Sequence, residues 1–214
     1  DIALGLANYW ETTFTDKHAA FDPEVASSYA DTWVRPMKWE FLAQPCLQKF
    51  ENFLDNVSDS MTGPDGLPYS AWRAAGSLGA RTLLELCWWM MAGLPTHLPF
   101  NGSNMVFAAK GSVPDDAHDV VRSGGDTRPL SLKNTDNKII AGIINLSCRS
   151  PLAVGACKLQ RGFVPGRQRV ENALDLDTYG RILGMAAAPD LLAVLAFFDF
   201  MAAFPSVCHS WVFM

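Results

Sequence analysis

Asp199 is the only charged residue in "LLAVLAFFDFMAAFPSV" (191–207). A carboxylate removed from water costs on the order of several kcal/mol, or it takes up a proton, unless a cation or a set of donors meets it. The second chemical signal is a basic stripe. Arg122, Arg128, Lys133, Lys138, Arg149, Lys158, Arg161, Arg167 and Arg169 fall between residues 120 and 170, against only Asp126 and Asp136. Those nine cations less two carboxylates give a local balance of +7 in a chain whose net charge is −5. A positive stripe in an acidic chain is the footprint of a phosphate-bearing partner. Other chemistry is poorly represented. The five cysteines (46, 87, 148, 157, 208) form no C-x-x-C pair, and the four histidines show no ligand spacing with them, which argues against zinc. An odd cysteine count fits buried thiols in a reducing compartment better than a disulfide framework.

The elements that must position these groups are legible in part. With 214 residues, 49% of them hydrophobic, the chain can bury a sizeable core in one domain or two small ones. "PCLQKFENFLDNV" (45–57) predicts a helix, with Pro45 at its first position and Leu47, Phe50, Phe53, Leu54 and Val57 at helical spacing. It should stop in "SDSMTGPDGLPY" (58–69), where glycine and proline enforce turns and Asp65 is expected to bond neighbouring amides. The pattern over 70–93 predicts one long helix from Ser70 to a stop at Gly93. "NMVFAAKG" (104–111) alternates as a strand, and 135–149 and 169–183 read as helices. "LAVLAFFDF" (192–200) has the length and bulk of a buried strand. Together these predict an α+β fold. No apolar run reaches the roughly 18–20 residues of a spanning helix, and no basic leader precedes an apolar stretch. Asp1 in place of an initiator Met, and the apolar run up to Met214, lead to the expectation that the chain is a fragment at both ends.

Three stretches occur in a telling order: "GPDGLPY" (63–69), then "RPLSLKNTDNKIIAGII" (128–144) with "LQRGFVPGRQRVENAL" (159–174), then "FFDFMAAFPSV" (197–207). Over residues 45–212 this ordered set resembles the reverse transcriptases of non-LTR retrotransposons, RNA-directed DNA polymerases of right-hand fold. The resemblance implies an N-terminal helical extension (1–57), a fingers region with a basic template-side segment (58–188) and the start of a palm (189–214). The fingers would include a β-hairpin. The partners implied are an RNA template, a DNA primer and dNTPs, inside the cell in nucleus or cytoplasm and without a membrane.

The resemblance also implies roles for residues. Asp199 would be the first metal-binding carboxylate of the palm, with the backbone carbonyl of Phe200 as a further ligand, so that Mg²⁺ (or Mn²⁺) and not an amino acid matches its charge. Two such cations activate the primer hydroxyl and stabilise the leaving pyrophosphate. Phe204 would lie under the sugar of the incoming nucleotide and disfavour a 2′-hydroxyl. The sequence departs here, with Pro205 where many relatives have Asp or Asn, which puts fine substrate geometry in question. Lys110 and Arg128, on the two sides of the hairpin, would grip the triphosphate by charge-assisted hydrogen bonds. Gln160, Gly162, Arg167 and Arg169 would touch the template-side backbone and minor groove, with Gly162 permitting close approach.

A palm of this kind also needs a later Y-x-D-D turn. "SYADTW" (28–33) is similar, but it precedes Asp199 and has Thr32 at the second aspartate, so Asp31 reads as a surface residue. With one such carboxylate, residues 1–214 are expected not to polymerise by themselves. Two alternatives remain from the residues: a decayed or domesticated nucleic-acid-binding remnant without catalysis, and a membrane-surface or partner-docking protein using the apolar 182–214 end.

Overall fold

The computed structural model describes residues 2–15, 21–34, 36–96, 100–118, 120–186, 194–199 and 207–213. Among these the chain is α+β, with eight α-helices, three short 3-10 turns and one two-stranded antiparallel sheet. It divides into two compact units, Asp1–Leu6 with Leu42–Cys148 and Ala7–Phe41 with Arg149–Met214. The division falls within helices α1 (Ile2–Phe14) and α6 (Thr135–Gly155). Within the first unit helix α3 (Leu47–Asn56) packs on α5 (Gly76–Met91).

The first unit holds the core. Its buried set is Phe50 and Leu54 of α3, Tyr69 of α4 (Tyr69–Ala74), Ala80, Leu83, Leu84 and Cys87 of α5, and Ile139, Ile140 and Ile143 of α6. Full burial of each large aliphatic side chain is worth about 1.5–3 kcal/mol. α3 starts two residues later than the sequence predicts. Cys46 is its N-cap and Pro45 precedes the helix, while the Lys49 ammonium donates to the Ala43 and Gln44 carbonyls at 2.8 Å and so ties the entering chain. The long helix predicted over 70–93 is two helices. Gly76, at φ +57°, breaks the run between α4 and α5, in a backbone region that glycine enters without a Cβ clash. The stop at Gly93 is as predicted: α5 ends at Met91, and Gly93 takes φ +73° with its N–H on the Met90 carbonyl.

The turn 63–69 docks against the start of α6. Leu67 N–H donates to the Asp65 carboxylate at 3.0 Å, as expected, and Asp65 N–H donates to Asn134 Oδ1 at 3.2 Å. Gly63 lies so close to the Lys133–Asn134 backbone that any Cβ there would collide with it. α6 itself runs past its predicted end, through Pro151 to Gly155. Proline has no N–H to give the carbonyl four residues back, and the Ser147 carbonyl instead accepts the Ala43 N–H at 3.3 Å.

In the second unit α2 (Pro23–Trp33) is capped by Asp22, whose carboxylate accepts the Glu24 and Val25 amides at 2.9 and 3.1 Å, with Pro23 in its first turn. The rings of Phe21 and Tyr29 meet Trp211 of α8 (His209–Val212) edge-on at 5.9 Å. α7 (Val170–Ala186) buries no residue among its own. The buried strand predicted over 192–200 is not formed in its described part. Residues 194–199 have no regular structure and are exposed, with Phe197 at 79% and Phe198 at 88%. A strand-forming run needs a ladder partner to satisfy its backbone and a facing layer to cover it, and no third strand pairs among the described residues.

Candidate nucleotide and nucleic-acid interface

The sheet is the predicted hairpin. Strand β1 (Ser103–Ala109) pairs antiparallel with β2 (Thr127–Lys133) in a register that sets Ala108 opposite Arg128 and Ala109 opposite Thr127. The pairing continues one step, as Lys110 N–H donates to the Asp126 carbonyl at 2.8 Å. Side chains two residues apart share a face, so Lys110 and Arg128 stand on the same face as diagonal neighbours, with backbones roughly 7–8 Å apart. Both are exposed, whereas Thr127 on the opposite face is buried. Two cations are thus brought together at the loop end of the hairpin.

The connection from Lys110 to Asp126 is braced by its own charges. The Arg122 guanidinium forks onto both oxygens of Asp116, Nη1 to Oδ1 and Nη2 to Oδ2, each at 2.7 Å. That guanidinium, with the Val113 amide, holds the Asp116 carboxyl down at about 2, and the pairing pushes Arg122 up in turn. The Lys110 ammonium gives one of its three donors to the Gly125 carbonyl at 2.6 Å. Asp126 accepts the Ser123 hydroxyl at 2.7 Å. Arg122 is therefore spent inside the loop, and Lys110 and Arg128 are the cations presented outward.

The loop after α6 sorts the basic stripe further. Arg167 points inward: its guanidinium donates to the carbonyls of Ala153 (3.2 Å), Ala156 (3.0 Å), Gln160 (2.8 Å) and Cys157, which gathers the last carbonyls of α6 and the loop that follows. Helix C-terminal carbonyls have no intrahelical donor and attract a cation. Arg161 also turns in, pairing with Glu171 at 3.1 Å and Asp175 at 2.7 Å on successive turns of α7, while its Nη1 is buried with no hydrogen-bond partner among the described residues. Gln160 Nε2 donates to the Gly162 carbonyl at 2.9 Å. Of the four residues expected to meet nucleic acid here, Arg169 is exposed and stacks over the Phe163 ring at 5.5 Å, Gln160 is exposed, Gly162 is half-buried, and Arg167 is a brace. Arg149 and Lys158 are exposed and form no ion pair with a carboxylate among the described residues. Lys133 and Lys138 give their ammonium groups to the Asn101 and Met61 carbonyls.

Asp199 lies in irregular, exposed chain, and Phe200 and Phe204 fall outside the described residues. Among the described residues no three His, Cys, Asp or Glu side chains gather as a metal site. Sequence reasoning missed Asp116 and Phe163. Asp116 sits in a polar loop where no periodicity marks it, and Phe163 reads as one more apolar residue unless its glycine neighbour is taken as a sign of unusual backbone. No helix among the described residues is long and apolar enough to cross a membrane. No protein-family model matches the chain, and no curated protein matches it.

Proposed function

We propose that this chain is the nucleotide- and template-handling portion of an RNA-directed DNA polymerase of the non-LTR retrotransposon type. Lys110 and Arg128 hold the triphosphate of an incoming dNTP, and the loop from 157 to 169 lies against the template–primer. Asp199 supplies one oxygen ligand to Mg²⁺, or Mn²⁺, in phosphoryl transfer to the primer hydroxyl. The observation that carries the reading is the hairpin register, which sets two exposed cations on one face where a polyanion can bridge them. A second support is the meeting of "GPDGLPY" with "KNT", since motifs far apart in sequence that dock together behave as parts of one design.

The test is titration of the 214-residue chain with a fluorescent dNTP, with and without Mg²⁺. Lys110→Ala and Arg128→Ala should each weaken binding about tenfold, the loss of a charge-assisted hydrogen bond. Asp199→Ala should abolish the Mg²⁺ dependence. Unchanged binding in all three variants overturns the reading. Template-dependent incorporation of dNTP by the chain alone is not expected.

The second reading, a nucleic-acid-binding remnant without catalysis, is favoured by one observation, the exposed and irregular chain around Asp199. Salt-dependent RNA binding that survives Asp199→Ala, with no Mg²⁺-dependent nucleotide binding in the parent chain, selects it.

A further inference from the structure

Phe163 is the only non-glycine residue with a positive φ among the described residues, at +62°, and its side chain is 94% exposed. Both features are unfavourable. The left-handed region brings Cβ against the backbone, and the ring gains nothing from burial. What surrounds it is well anchored. Arg167 gathers four carbonyls, Val164 is buried, and Arg161 pairs with α7 on the near side. Strain held in place by a well-anchored surround, at a ring that stands 94% exposed, marks a site built for contact.

The chemistry of that contact follows from the neighbours. The Arg169 guanidinium lies over the ring, 5.5 Å from its centroid, in a cation–π arrangement. Lys158, Gln160 and Gln168 are exposed on the same loop, and Leu159 is 73% exposed. An aromatic ring beside exposed cations and amides is the arrangement that holds unpaired bases by their faces and the phosphates between them by charge. We propose that Phe163 is a stacking platform for an unpaired base of a single-stranded nucleic acid, with Arg169 and Lys158 meeting the adjacent phosphates. The proposal rests on the nucleic-acid reading of this loop and adds the strand state and the residue that reads it. An anionic membrane surface is the competing partner for an apolar tip ringed by cations. It fits less well, because the exposed Gln160 and Gln168 amides beside the ring can bond base edges and find no partner among acyl chains.

The experiment measures binding of fluorescein-labelled 12-nucleotide oligo-U and oligo-A, and of a matched duplex, by anisotropy across a salt series. The parent chain should prefer the single strands. Phe163→Ala should weaken single-strand binding roughly tenfold with an unchanged salt slope, since no charge is lost, and Phe163→Trp should restore it. Phe163→Gly is the control for backbone strain: it relaxes the left-handed conformation and should still lose the affinity. Unaltered circular dichroism is expected for each, the side chain being exposed. Salt-dependent binding that is equal in the parent and Phe163→Ala overturns the platform while leaving the nucleic-acid reading in place. No binding of any oligonucleotide by the parent chain overturns both. Retention on phosphatidylserine vesicles that is lost in Phe163→Ala, with oligonucleotide binding unaffected, assigns the tip to a membrane and overturns the proposal.

Discussion

Trp72 and Thr135, 63 residues apart, are joined by a hydrogen bond from the indole Nε1 to the threonine Oγ1 at 2.9 Å, and the same hydroxyl donates to the Leu67 carbonyl at 2.9 Å. Thr135 is fully buried, and both of its bonds are partly shielded from water. It locks α4 and the turn at 63–69 to the first residue of α6. Thr135→Val keeps the shape and removes the hydroxyl. It leaves a donor and an acceptor unsatisfied, each costing about 1–3 kcal/mol when buried. Urea unfolding should therefore show a loss of about 2–4 kcal/mol for Thr135→Val, and Thr135→Ser should recover most of it. Equal stability of the valine variant and the parent contradicts the relay.

The Asp116–Arg122 pair gives the hairpin loop a pH response. An aspartate whose folded pKa is lowered contributes stability that is complete above its unfolded value, about 3.9, and is lost as pH falls through the folded value. Here the folded value is about 2, so the brace should hold at pH 4.5 and release between about pH 4 and 2. Carbon-detected NMR titration of the Asp116 carboxyl should place the midpoint near 2 in the parent. Arg122→Ala should move it toward about 3.9. Asp136 runs the other way. Burial pushes its carboxyl up, and the neighbouring Asp65 charge adds to this against the opposing Asn137 amide. Its protonation therefore favours the folded state as pH falls. A midpoint for Asp116 that ignores Arg122→Ala would show that the fork does not form in solution.

Arg167 separates a structural cation from a ligand-binding one. If its guanidinium braces the carbonyls after α6, then Arg167→Lys should fail to restore what Arg167→Ala removes, because one ammonium cannot fork across four acceptors. Both variants should lose about 2–3 kcal/mol of stability, the worth of a few charged hydrogen bonds partly replaced by water, and amide exchange across 157–166 should quicken. If Arg167 were mainly a phosphate contact, lysine would retain most nucleic-acid affinity and the exchange rates would not move. Native-state hydrogen exchange distinguishes the two.

This contrast shows why parts of the molecule were legible in the sequence and others not. The helices α3, α6 and α7 and the first strand follow from local periodicity and turn residues, which act over a few positions, whereas the hairpin was expected only from the family resemblance. The same local signal placed Lys110 at the end of β1 and gave the stop at Gly93. It failed where the outcome depends on distant partners. Arg161, Arg167 and Arg169 look alike in sequence, yet one pairs with α7, one braces α6 and one stacks on Phe163. Residues 194–199 have strand-forming bulk, but a strand is a relation between two segments, and among the described residues they have no ladder partner. The break at Gly76 was hidden because a single glycine leaves the apolar spacing of α4 and α5 intact.

Gly142 decides how closely α3 and α6 approach. A Cβ added there would stand 2.8 Å and 2.9 Å from Cε2 and Cζ of Phe53, closer than real Cβ contacts allow. Two effects oppose each other in Gly142→Ala. Alanine is the better helix former by about 1 kcal/mol, while forcing a methyl into packed space costs typically 1–3 kcal/mol. Phe53 is only partly buried at the edge of the core, so its ring can shift some way, but doing so uncovers apolar surface where it packs on the core cluster. The steric cost should win, giving a net loss of about 1 kcal/mol in urea unfolding. Phe53→Leu in the same chain should remove the clash and let the alanine stabilise, so the two substitutions should be non-additive in a double-mutant cycle. An alanine variant more stable than the parent, with Phe53 unchanged, would mean that the helices sit farther apart than the ring contact requires.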